Sequence, residues 1–359
     1  MKTITKLFLV IISAVSISAT AIAGELTVTG GATATIVQGS GGGDNLGKGL
    51  GISNELDFTA NGELDNGYTW KWQTQLDGTA TDNDDTRLEI GTPYGTAAMY
   101  ISEGDLSSKL GYGIGAMGVG SDYKNTFSTA TGNLIWGKNI GSYNNVQYHT
   151  PSGLLPLDGS IKIGHAPNLD SADGASAKAS GADRTAGSAV AGNMTQIKLA
   201  AKPIDGLEVS ADYAFYGHEV VTTRYEEESA GAAIKYATGP LTVGIGATFY
   251  QPREDLDAAA TNLTTNYESL MYGLQFAVND ALTVSYSEEE FTKHEGSKDT
   301  LGTGTITAEV DTKMKVQHLQ AAYVIGGATL GVALADTDND DWTTATEAKM
   351  TTFSLAIAF

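Results

Sequence analysis

Apolar and polar side chains alternate with period two through long stretches of this chain. From Tyr68 to Asp77 one face carries Tyr68, Trp70, Trp72, Thr74 and Leu76, and the other carries Thr69, Lys71, Gln73, Gln75 and Asp77. Leu241, Val243, Ile245, Ala247 and Phe249 stand against Gly244, Gly246 and Thr248. Leu207 to Phe215 repeats the pattern, with Glu208, Ser210 and Asp212 on its polar side. The final residues do so again, Phe353, Leu355, Ile357 and Phe359 opposing Ser354, Ala356 and Ala358. Period two marks a β-strand whose two faces meet different surroundings. Charges on the polar faces point to a water-filled interior, because a packed core makes such groups costly.

Sixteen strands are expected, at roughly 25–37, 50–64, 67–77, 86–92, 95–103, 143–149, 159–165, 194–202, 206–216, 226–237, 240–251, 266–277, 281–291, 311–325, 327–337 and 345–359. Tight turns such as Asp65-Asn66-Gly67, Pro93-Tyr94, Gly239-Pro240 and Asn279-Asp280 alternate with longer polar connections, the longest being 104–142. Sorting of loops by parity is the layout of an outer-membrane barrel with periplasmic turns and outer loops. The predicted fold is therefore all-β, a 16-stranded antiparallel transmembrane β-barrel. An even strand count places both ends on the turn side, so the last strand can pair with the first and remove the open edge.

Residues 1–23 carry Lys2 and Lys6, an apolar run from Leu7 to Ile17, and Ala21-Ile22-Ala23 before Gly24. This predicts a cleaved signal peptide, leaving 24–359 as the barrel. The chain holds 21 basic and 42 acidic residues, a formal charge of −21, which disfavours nucleic acid as a partner. There is no cysteine, so an exported domain of this size must be held by extensive backbone pairing or a large core. Outside 1–23 no run approaches the ~20 apolar residues of a spanning helix. Sixteen tyrosines, nine phenylalanines and four tryptophans suffice for interfacial girdles.

Four segments resemble the Gram-negative general-diffusion porin family in its alphaproteobacterial form. They are Phe58 to Gly67 (second strand and first turn), Leu88 to Thr96 (fourth-to-fifth hairpin), Asn144 to Ser152 (sixth strand), and the terminal Phe359. The resemblance implies an outer-membrane homotrimer among lipid and lipopolysaccharide, with the third loop (here 104–142) folded into the lumen. It further implies that Phe359 is the assembly signal presented to the barrel-assembly machinery. The family sets a ladder of arginines opposite that loop, and this chain has few arginines in its strands.

The expected function is a water-filled channel for passive diffusion of small polar solutes, without cofactor or catalysis. On the loop side Glu103, Asp105 and Asp122 are candidates for a constriction facing Lys71 and Arg87 on the wall, with Lys162, Lys198 and Lys235 farther round. The alternative reading is of solvated loop and strand charges that share no constriction. Acids of the outer connections or of the strand ends bordering them, among them Asp82, Asp84, Asp85, Glu226 to Glu228, Glu288 to Glu290, Asp338, Asp340 and Asp341, predict mild cation preference. The alternatives are a substrate-tuned porin and a structural or adhesive barrel.

Other motifs carry less. Asp336, Asp338 and Asp340 with Glu347 occupy EF-hand positions, but Asp341 stands where glycine is required. Adventitious Ca or Mg in that acidic loop is the most this spacing suggests, and no confident metal site follows. Gly113 to Gly118 matches G-x-G-x-x-G without a βαβ context. The five histidines lack zinc spacing, and 171–192 reads as an outer loop. A barrel hydrolase would need an outward nucleophile–base pair, and His318 is the only histidine well into the expected wall.

Overall fold

The computed structural model describes residues 24–41, 48–77, 85–108, 110, 139–169, 192–217, 223–225, 227–252, 254–255, 263–298 and 306–359. Its strands are β1 (Glu25–Gly41), β2 (Lys48–Glu63), β3 (Thr69–Asp77), β4 (Thr86–Thr92), β5 (Gly95–Ile101), β6 (Asn145–His149), β7 (Ser160–Ala166), β8 (Asn193–Ala201), β9 (Leu207–Gly217), β10 (Thr223–Tyr225), β11 (Glu228–Thr238), β12 (Leu241–Gln251), β13 (Glu254–Asp255), β14 (Leu263–Ala277), β15 (Leu282–Lys298), β16 (Ile306–Ile325), β17 (Ala328–Asp338) and β18 (Glu347–Ala358). Sixteen of them form one closed antiparallel barrel, and β10 pairs with β13 as a separate two-stranded ribbon. The expected signal segment 1–23 lies outside the described residues.

Closure is made by β1 and β18, in register from Gly31↔Ala358 to Gly41↔Ala348. Two further backbone bonds extend it, Gly30 N–H to Phe359 O at 2.8 Å and Phe359 N–H to Gly30 O at 2.9 Å. The Phe359 side chain points outward and is 68% exposed.

Because facing residues share a side of the sheet, the registers assign every strand position to one of two surfaces. One surface exposes Leu88, Met99, Ile163, Leu199, Ile234, Ile245, Leu274, Leu319, Leu330 and Leu355, and is the outer, lipid-facing side. The other carries Arg87, Gln147, Gln196, Asp212, Thr248, Ser285 and Gln320, and lines the lumen.

The strands of the outer half are longer than the alternation suggests. β14 starts at Leu263, β15 continues to Lys298 and β16 begins at Ile306, where connections 252–265 and 292–310 were expected. The β15 extension, Thr292 to Lys298, carries no apolar side chain, so an apolar period cannot mark it, yet the backbone ladder continues; the β16 extension does alternate in sequence, Ile306, Ala308 and Val310 against Thr307 and Glu309. Conversely β5 ends at Ile101, before Glu103.

The outward surface changes character along one hydrogen-bonded row, Tyr272–Glu288–Gln317–Asp336–Lys349. Toward the turns its residues are apolar; toward the outer loops it carries Glu290, Lys313 and Lys315. Glu288 lies six residues above the start of β15. At ~2.5 Å of height per tilted residue this is ~15 Å, inside the ~25 Å apolar band of such barrels. The carboxylate is correspondingly well supplied with donors. Lys315 Nζ lies at 2.8 Å, Gln317 Nε2 at 2.7 Å and the Tyr286 hydroxyl at 2.9 Å, with the Tyr272 hydroxyl completing the set.

Candidate functional site

The described parts of connection 104–142 lie against the lumen wall. Gln147 Nε2 donates to Gly104 O at 2.5 Å, and Asn145 Nδ2 reaches Glu103 O, Ile140 O and Tyr143 O at 2.8–3.1 Å. Lys198 Nζ donates to Ser107 O at 2.7 Å. Asp212 Oδ1 accepts the Ser108 N–H at 2.5 Å, and its Oδ2 accepts Gln196 Nε2 at 2.8 Å. Gln196 Oε1 in turn accepts the Ile140 N–H at 3.0 Å, tying the returning end of the segment to the same clamp. Leu106 and Ile140 sink into a cluster with Tyr143, Ala166, Met194, Ala214 and Tyr216.

Two wall glycines permit this approach. A Cβ on Gly164 would meet Ile140 Cδ1 at 2.7 Å, and one on Gly246 would meet Leu110 Cβ at 2.6 Å. At 246 the close atoms are Leu110 Cβ and its backbone nitrogen, so a side chain there displaces the segment itself, whereas at 164 it displaces the buried ends of Ile140 and Leu106. Leu110 beyond them packs on Met271. Residues 104–108 and 110 thus lie along the inner wall from β6 to β14.

The sequence-predicted charges are placed as follows. Arg87 and Glu103 stand 3.6 Å apart as a direct ion pair on one wall, where an opposition across the pore was expected. Burial pushes the Glu103 carboxyl above the usual carboxylate range, and the neighbouring Arg87 guanidinium pulls it back. Arg87 Nε also donates to Gln73 Oε1 at 2.9 Å, and Gln73 Nε2 donates to Asp57 Oδ1 at 2.8 Å. Asp105 accepts the Ser107 N–H at 2.6 Å and its hydroxyl at 2.9 Å, so it shapes a turn of the segment. Asp122 lies outside the described residues.

Lys71 lies on β3, in register between Asn61 and Glu89. Lys162 and Lys198 are cross-strand neighbours, and Lys235 pairs with Glu208 at 2.8 Å. The expected acidic ion loop does not converge. Asp336 and Asp338 face outward on β17, Asp336 binding Lys349 at 3.0 Å, whereas Asp340 is buried in a 3-10 turn, Asp340–Trp342. Among the described residues no group of three or more His, Cys, Asp or Glu side chains could hold a metal ion. His318 faces inward and is buried, so it offers no base to the lipid side.

The sequence reading did not name Asn145, Gln147 and Gln196 as loop anchors, nor Glu55 and Asp57 as lumen residues. Polar residues at inward parity were the available signal, but parity does not say which of them meets the loop. Glu55 and Asp57 both point inward from β2, and Asp57 Oδ1 accepts Gln75 Nε2 at 3.2 Å as well as Gln73. A cavity of about 1150 Å³ lies along β1, β2 and β18, lined by Thr29, Thr33, Thr35, Ser53, Glu55 and Asp57 among others.

A closed sixteen-stranded cylinder with an apolar outside and a polar, charged inside is a transmembrane channel of the bacterial outer membrane. A family model described as Gram-negative porin matches residues 9–304. The chain belongs to that family, and its function is a channel for passive diffusion across the outer membrane.

Solved structures agree in fold. A loop-deletion mutant of OmpT, an outer membrane protein of Vibrio cholerae, aligns with TM-score 0.61 at 10% identity, covering 94% of this chain and 100% of its own. An anion-selective porin from Comamonas acidovorans gives 0.60 at 13%, covering 93% and 99%. OmpF of Salmonella typhi in complex with daunomycin gives 0.57 at 11%, covering 94% and 100%. No curated protein sequence matches the chain.

Proposed function

We propose that this porin passes small hydrophilic solutes and ions with a mild preference for cations. In this reading it works as a homotrimer, and segment 104–142 narrows the lumen. The observation that carries the preference is the disposition of lumen charge. Inward positions of β2 to β4 carry Glu55, Asp57, Asp77 and Glu89 against Lys71 and Arg87, and Arg87 is already paired with Glu103. On the loop side Lys198 is engaged by a loop carbonyl and Lys235 by Glu208. Surplus negative charge facing water enriches cations within a Debye length of ~8–10 Å at moderate salt. The clamp on residues 104–110 supports a constriction, because a segment tied to one wall leaves the opposite wall as the path.

Outer-membrane lipid and lipopolysaccharide form the surroundings, and the strand ending in Phe359 is the part offered to the assembly machinery. The reading needs no cofactor and no catalytic step. Reversal potentials across a potassium chloride gradient in a planar bilayer test the ion preference, and anion preference overturns it. Stepwise closures counted in the same recordings test the trimer; events falling singly, with no grouping in threes, would remove it.

A further inference from the structure

We propose that the connection between β17 and β18, residues 339–346, is a loop folded into the lumen in its own right, and that Trp342 holds it there and so limits the size of solute that enters. The inference is independent of the ion preference above and of segment 104–142. It starts from a feature foreign to a water-filled interior, an apolar stretch of inner wall. Phe291, Met314, Val316, Ala335, Ala348 and Met350 form one buried cluster. All six are inward by register, opposite in parity to Glu288, Lys315, Asp336 and Lys349. Leaving such a wall against water is costly, and Trp342 packs over it.

The loop reaches well inside to do so. The Trp342 ring lies against Tyr267 of β14, centroids 5.3 Å apart, and Tyr267 stacks on Tyr250 of β12 at 6.2 Å. Those two tyrosines are register partners on the inward side. A chain leaving β17 has therefore crossed the inner faces of β16 and β15 to touch β14. Trp342 Nε1 donates to Phe291 O at 3.0 Å, and Asn339 Nδ2 donates to Lys313 O at 2.8 Å. Within the loop, Asn339 Oδ1 accepts the Ala345 N–H and Thr346 O accepts the Asp340 N–H, both at 2.9 Å, which closes it into a compact turn. Asn339, Asp341, Trp342 and Ala345 take left-handed backbone, with φ of 51–63°. Residues other than glycine hold that conformation where surrounding contacts impose it. The seat therefore fixes the loop, and its tether is the indole. Phe291 lies beyond Glu288 on β15, toward the outer loops, so the obstruction belongs to the outer part of the lumen.

Passage through a pore is set by its narrow cross-sections, so a turn and an indole lodged inside the rim hinder large solutes more than small ones. The test uses the whole barrel, by single-channel recording in potassium chloride and by liposome swelling with glucose and raffinose. Trp342→Ala should raise conductance roughly 1.2-fold or more and the raffinose-to-glucose rate ratio about two-fold. Trp342→Phe keeps a ring but loses the bond to Phe291 O, and should fall between alanine and wild type. Thr344→Ala, an exposed change in the same turn, should leave both readings as they are. Should the alanine variant not fold, a chain with 341–345 replaced by two glycines decides, because it removes the indole without touching a barrel strand. Neutral sugars make its ratio blind to the lost charge of Asp341. Conductance and sugar ratio equal to wild type in Trp342→Ala, or in the shortened loop, overturn the proposal and leave the channel function standing.

Discussion

Asp212 joins the two ends of the lumen segment, and its replacement gives the sharpest expectation. One carboxylate oxygen accepts the Ser108 N–H at 2.5 Å, the other accepts Gln196 Nε2 at 2.8 Å, and Gln196 passes the hold on to Ile140 at 3.0 Å. Asp212→Ala removes both acceptors and frees Gln196 to turn away. Hydrogen bonds to a charged group contribute about 1.5–3 kcal/mol each. Water entering the vacated space recovers part of this, so a net loss of about 3 kcal/mol is a fair working value, a factor of roughly 100 in the population of detached segment. Single-channel recordings should then show added sub-conductance states and closure at lower voltage. Heat-modifiable migration should stay unchanged, because the barrel ladder is untouched. Asp212→Asn keeps one oxygen acceptor and should fall between. Alanine channels that match wild type in conductance, noise and closing voltage would refute the clamp.

Gly246→Leu tests the same path by steric means: a side chain there displaces Leu110 from its contact with Met271, and conductance should change while refolding yield does not. Lys315→Met deprives the lipid-facing Glu288 of its cation at 2.8 Å and should cost about 1–3 kcal/mol in urea unfolding from liposomes. Adding Glu288→Leu should restore most of that loss, and failure to do so argues against a membrane-embedded pair. Because burial raises the Glu103 carboxyl, acidification should protonate it before an ordinary glutamate, leaving Arg87 uncompensated. Cation preference should therefore begin to fall at a pH above the usual carboxylate range. Reversal potentials against pH should show that early component in wild type and lack it in Glu103→Gln.

Strand number, closure and the inside–outside assignment were legible because they rest on period two and on turn chemistry, both local. Trp70 and Lys71 declare their faces without knowledge of any partner. Ends were read less well where both faces are polar: β15 passes through Glu288, Glu290 and His294 up to Lys298, and no apolar beat marks that stretch. The site was harder still. Asp105 and Arg87 were conspicuous by charge, yet a charge does not reveal whether it faces water, a loop carbonyl or a neighbour 3.6 Å away. Gln147, Gln196 and Asp212 resemble any other lumen-facing residues in sequence. Only the path of 104–110 across β6 to β14 distinguishes them, and that path is a tertiary fact. Glycine at 164 and 246 was the faint local trace of it, since a strand interior has little other reason to give up a side chain there.

The charge of a pore is not the charge of its chain. With 42 acids against 21 bases, composition already suggests cation preference, but much of that surplus never meets the permeating ion. Glu288, Glu290 and Asp336 face outward and are paired with Lys315, Lys313 and Lys349. Within the lumen, Glu103 cancels Arg87 and Glu208 cancels Lys235. Once these pairs are set aside, the inward positions of β2 to β4 carry Glu55, Asp57, Asp77 and Glu89 against Lys71. Water-filled confinement brings a passing ion within the screening distance of ~8–10 Å of charges on the lumen wall. In the cation-preferring reading proposed above, selectivity therefore follows from the inward charges that face water, not from the net charge of the chain.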